Sequence, residues 1–163
     1  MRKYKSLIII FVGCVFLFIP KFSKHYFLGH DSLFHAANIM ALSENIDLFD
    51  ISKSNISPYI ANNFGYGTGL FYPQLAHFIA ALFYKSFSFF TTNFGYSMII
   101  THFLASFIAA LGIFKLSIKV FKNKNIATIS AMLYLFFPYH LTDIYVRDAL
   151  SESMIFSVIP FIF

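Results

Sequence analysis

Two long apolar runs, Ser6 to Pro20 and Ser97 to Ile118, carry basic residues at their ends: Arg2, Lys3 and Lys5 before the first, and Lys115, Lys119, Lys122 and Lys124 around the end of the second. A segment that crosses a bilayer must satisfy its own backbone hydrogen bonds, so a run of this kind has one stable form there, the α-helix. Composition extends the constraint to the whole chain. Of its 163 residues 58% are hydrophobic and 12% charged, against about half and about a quarter in a soluble domain. The sequence therefore reads as an all-α, polytopic transmembrane protein. Its net charge of +5 comes from lysines gathered at the ends of apolar runs, the pattern of membrane anchoring, with no basic stripe for a nucleic acid. The single cysteine, Cys14, excludes a disulfide within the chain and a cysteine metal site.

The first run resembles a signal peptide, but Lys21, Lys24, His25 and Tyr26 follow it in place of a cleavage site, so it is expected to stay as an anchor with a cytoplasmic N-terminus. Residues 21–96 then form an outer loop that holds Asp31, Glu44, Asp47 and Asp50. Within it, Ser32 to Leu42 has the apolar spacing of a helix lying along the membrane surface, and Asn62 to Gly69 is a glycine-bearing loop. Phe71 to Phe90 has the length of a span. It contains Pro73, Gln74, His77 and Lys85, and a crossing there would put the lysines of 115–124 outside. Residues 71–90 are accordingly read as an interfacial helix on the outer face. Spans are expected at about 6–20, 97–118 and 126–138, with an incomplete span from 153. The 163 residues are expected to form one membrane domain, the N-terminal part of a longer multi-pass membrane protein.

This topology places two polar groups on one side. In Gly29-His30-Asp31-Ser32-Leu33-Phe34-His35, a helix would set Asp31 and His35 one turn apart, a carboxylate and an imidazole directed into one pocket with Asp31 as general base. The alternative is an aspartate that caps the helix and a histidine on its interfacial face. His25, His30 and His35 recur every five residues, which turns successive side chains about 140 degrees apart on a helix, so no metal site is expected and no cofactor is implied. Arg147, Asp148 and Glu152 form the second group, with Asp148 and Glu152 one turn apart. Arg147 suits a phosphate at the headgroup level, with Lys85 as a second cation; a solvated helix end is the plainer alternative.

The blocks Gly29-His30-Asp31 with His35, Phe64-Gly65-Tyr66-Gly67 with Phe71-Tyr72-Pro73, and Phe137 through Glu152 resemble the bacterial polytopic membrane family labelled 6-pyruvoyl-tetrahydropterin synthase-related. Gln74 stands where a second proline is usual. The wider architecture looks like that of GT-C glycosyltransferases. The resemblance implies transfer of a sugar from a polyprenyl-phosphate-linked donor to an acceptor of the cell envelope, with Asp31 and His35 catalytic and Tyr66, Tyr72, Lys85, Arg147, Asp148 and Glu152 binding substrate or phosphate. The partners are then a membrane lipid and the lipid-linked sugar, with oligomeric state open. Two other classes remain: a non-enzymatic, lipid-binding or assembly component of the envelope, and a transporter.

Overall fold

The computed structural model describes residues 4–22, 28–45, 55–91 and 93–163. Among them the chain is helical, with one isolated β-bridge between Ser57 and Tyr66. Its helices are α1 (Lys5–Phe18), α2 (Ser32–Asn45), α3 (Leu75–Phe87), α4 (Phe94–Phe121), α5 (Lys124–Leu135), α6 (Pro138–Thr142) and α7 (Leu150–Val158).

The longest helix, α4, is the axis of the molecule. Its 28 residues span about 42 Å at 1.5 Å each. Asn93 caps its start by accepting from the Gly95 N–H at 2.9 Å, and its end turns through Lys122 in the left-handed conformation. Asn123 immediately caps α5, accepting from the N–H groups of Asn125 and Ile126. The faces α4 presents inward are lined by small residues, Ala105, Ser106, Ala109, Ala110 and Gly112, all buried. Small residues of this kind let neighbouring helix backbones approach closely.

Around this axis α1 runs antiparallel to α4. Phe18 meets Phe103 and Phe11 meets both Phe103 and Phe107, while Ser6 and Leu7 face Phe114, Lys115 and Ile118. In turn α5 runs beside α1, with Met132 against Gly13 and Phe136 near Phe16. Following the opposite direction, α7 brings Ser153 to His102, Pro160 and Phe161 to Gly112, and the Phe163 carbonyl to Lys119 Nζ at 2.8 Å. Above the end of α1, Ile39 and Leu42 of α2 and Ala76, Ala80 and Ala81 of α3 enclose Met98 and Leu150 in a second apolar cluster.

By length and composition two helical segments qualify to cross a membrane, Lys5–Phe22 and Phe94–Phe121. The first is α1 continued by a 3-10 turn, Ile19–Phe22; Pro20 cannot donate to the α-helical ladder. The run expected at 126–138 is α5, 12 residues or about 18 Å, ended because Pro138 holds Phe137 extended. The helix expected over 71–90 begins only at Leu75, after a 3-10 turn at Thr68–Leu70 and Pro73. The chain from 153 lies in α7, which starts three residues earlier and passes into a 3-10 turn at Ile159–Phe161. Where the sequence has α2 lying along a surface, the structure buries Ser32, His35, Ala36, Asn38, Ile39, Ala41 and Leu42 on α2.

Candidate functional site

The site is built on the segment that links α5 to α7. Pro138 suits the first turn of α6, where its missing N–H has no partner to lose. Beyond Thr142 the backbone widens into one π-helical turn, Asp143–Arg147. It closes on Asp148, whose φ of 57° is the left-handed conformation that a short polar side chain tolerates. The Ala149 N–H bonds back to the Asp143 carbonyl at 2.9 Å. This turn points Asp148 inward and leaves Arg147 at the surface.

Inside, Asp148 is fully buried and is the centre of a charged knot. Lys21 Nζ, at the end of α1, donates to its Oδ1 at 2.5 Å, and the Ser32 hydroxyl donates to Oδ2. The Gly29 N–H approaches Oδ2 at 3.4 Å, and His102 Nε2 of α4 lies 3.5 Å from Oδ1. Burial pushes the Asp148 carboxyl up, but the Lys21 ammonium, His102 and the hydrogen bonds from Lys21 and Ser32 outweigh it and hold the group below its ordinary value.

The Gly29–Ser32 strap lies against this turn. The His30 N–H donates to the Val146 carbonyl at 3.0 Å and the Asp31 N–H to the Arg147 carbonyl at 2.9 Å. A Cβ on Gly29 would come within 2.8 Å of the Arg147 carbonyl carbon and the Asp148 nitrogen, so only glycine permits this approach. The two polar groups of the sequence are therefore joined backbone to backbone. Asp31 is partly exposed, and its carboxylate has no hydrogen bond or ion pair among the described residues.

At the surface, Arg147 Nη1 donates to Asp143 Oδ1 at 2.8 Å, to Glu152 Oε2 at 2.7 Å and, at 3.4 Å, to the Tyr139 hydroxyl, which itself donates to Glu152 Oε1 at 2.5 Å. The three contacts of Arg147 use one nitrogen of the guanidinium. Burial and Glu152 push the Asp143 carboxyl up, against the pull of Arg147.

Several sequence-derived sites fall elsewhere. His35 does not share a pocket with the Asp31 carboxylate: it is fully buried, with Nδ1 2.7 Å from His77 Nε2 of α3. The Leu150 N–H donates to His35 Nε2 at 3.4 Å, which sets the ring proton on Nδ1 and makes His77 the acceptor. Burial, with His102 adding to it, lowers His35 to about 4, and burial with His35 lowers His77 to about 3. Asp148, expected to bind substrate or phosphate, is fully buried, with its carboxylate on Lys21 and Ser32. Tyr72 stacks at an angle on Phe34 and His77, and half-exposed Tyr66 packs on Phe71. Lys85 is exposed on α3 eight residues beyond His77, about 12 Å along the axis, and has no ion pair among the described residues.

The sequence reading missed Lys21, His77, His102, Tyr139 and Asp143 as members of these networks. The Asp143–Arg147 spacing of four residues is a signal in the sequence that could have found this contact. His25, Asp47 and Asp50 lie outside the described residues. Among the described residues no group of three or more His, Cys, Asp or Glu is arranged to hold a metal ion. Compared with protein-family models, curated proteins and solved structures, the chain matches none.

Proposed function

We propose that this protein is a membrane glycosyltransferase that moves a sugar from a polyprenyl-phosphate-linked donor to a hydroxyl of an envelope acceptor, with Asp31 as general base. The observation that carries the reading is the state of the Asp31 carboxylate. Asp143, Asp148 and Glu152 are each tied to a cation and Glu44 accepts from Tyr59, whereas Asp31 is held by its backbone and its carboxylate has no partner among the described residues. In the transfer, Asp31 takes the proton of the acceptor hydroxyl as its oxygen bonds to the anomeric carbon, and the bond from that carbon to the donor phosphate breaks. Nε and Nη2 of Arg147 have no hydrogen-bond partner among the described residues, which leaves these donors for the negative charge that builds on the leaving phosphate.

In a nanodisc supplied with a polyprenyl-phosphate sugar, the protein should release polyprenyl phosphate. Asp31→Asn should lower turnover about 10²–10⁴-fold while shifting unfolding by no more than about 0.5 kcal/mol, as for a surface change. Equal turnover of the two proteins would remove Asp31 from catalysis. A second reading, a non-catalytic envelope component that binds lipid phosphates, is favoured by the exposure of the Arg147 side chain at the surface. It expects lipid-phosphate binding indifferent to Asp31→Asn and weakened by Arg147→Ala.

A further inference from the structure

We propose that the loop between α2 and α3, residues 55–72, is immersed in the lipid interface at the Asp148 end of the helices. Between Lys53 and Lys85 the chain has no Asp, Glu, Lys or Arg. Such a stretch of 31 residues facing water would carry roughly eight charges at the usual frequency of about a quarter. A span is expected to lack charge, but this is a loop followed by a 13-residue helix.

The loop is built to expose apolar side chains. Ser57 and Tyr66 exchange backbone hydrogen bonds at 2.9 and 3.0 Å, closing its base, and the Gly65 N–H returns to the Ile60 carbonyl at 3.1 Å. Ala61, Asn62, Asn63 and Gly65 all have positive φ, and only the last is a glycine. Within this tight turn Phe64 is 92% exposed, and Leu70 and Phe71 beside it are 71% and 67% exposed. The loop is also anchored: Ser57 Oγ donates to the Ala37 carbonyl at 3.2 Å and Thr68 Oγ1 to Asn38 Oδ1 at 2.5 Å. Fixed aromatic and aliphatic side chains among uncharged Asn, Tyr and Gly match the chemistry of the headgroup boundary, where amphipathic rings concentrate. Lipid is the fitting occupant because α2, which holds the loop, starts at Ser32, hydrogen-bonded to the same Asp148 that Lys21 reaches from the 3-10 turn ending the first apolar run.

The protein contains no tryptophan, so one placed at the tip reports alone. Phe64→Trp and, as a deep reference, Val12→Trp on the exposed face of α1 would be reconstituted into phosphatidylcholine vesicles with bromines high or low in the acyl chains. Phe64→Trp should emit at a wavelength blue-shifted from that of the unfolded protein and be quenched more by the shallow bromines, with Val12→Trp quenched more by the deep ones. Emission at the unfolded position, open to aqueous iodide and untouched by bromine, would overturn the proposal. So would a blue shift without bromine quenching, since the ring would then rest on protein, including a second copy of this chain.

Discussion

Lys21 decides what Asp148 can do. A carboxylate and an ammonium are both withdrawn from water here, each at 2% exposure or less, and their 2.5 Å contact ties the end of α1 to the turn before α7. Removing one partner of such a pair usually costs about 3–5 kcal/mol, because the remaining charge stays buried without its counter-ion. Lys21→Met should therefore destabilise by about that amount in detergent, and adding Asp148→Asn should recover part of the loss. Asn keeps the acceptor for Ser32 and tolerates the left-handed backbone. Denaturant unfolding of the two singles and the double closes the cycle, and a single Lys21→Met loss below about 1 kcal/mol would show that the pair is not a staple. The sequence displayed this lysine only as a residue flanking an apolar run, since a contact spanning 127 positions leaves no local pattern.

At the scale of elements, helix type and approximate place were readable from the apolar periodicity, as α2 and α4 illustrate. Which face turned inward was not. One face of α2 carries His35 to His77 of α3, and that pairing depends on how two helices cross. The pair has a pH consequence. His35 and His77 both stand below the ordinary 6.5, mainly through burial, at about 4 and about 3. Between pH 6.5 and 3 the unfolded chain binds more protons than the folded one, so the contribution is intact above 6.5 and is lost as pH falls through that window. The melting temperature should drop across it, and His77→Gln, which retains an acceptor for His35 Nδ1, should flatten the drop. A profile as steep in His77→Gln as in the parent would assign the acid sensitivity to other groups, first to His140, which burial also lowers to about 4, since the contribution of Asp148 is lost only as pH falls below its ordinary 3.8.

For the whole molecule, the antiparallel packing of α1 and α4 sets which ends share a side. Lys5 opens α1, and Lys115 and Lys124 line one recess with Ser6 and Leu7, so the basic residues of both apolar helices gather at one end. Lys21, Asp148 and the Gly29–Ser32 strap gather at the other. In a membrane, the tendency of lysines in short loops to stay cytoplasmic predicts a lysine end facing inward and an Asp148 end facing outward. Leu28 is 55% exposed near the strap, Thr142 is exposed at the end of α6, and Asn123 is exposed at the turn between α4 and α5. Single cysteines at these positions, with the fully buried Cys14 changed to Ala, report each end separately. An impermeant maleimide on intact cells should label Leu28→Cys and Thr142→Cys, and Asn123→Cys only after permeabilisation. Labelling of Asn123→Cys alone would invert the orientation and move Asp31 to the cytoplasmic side. Labelling of just one of Leu28→Cys and Thr142→Cys would separate the two polar groups by a membrane, which the hydrogen bonds from His30 and Asp31 to Val146 and Arg147 forbid.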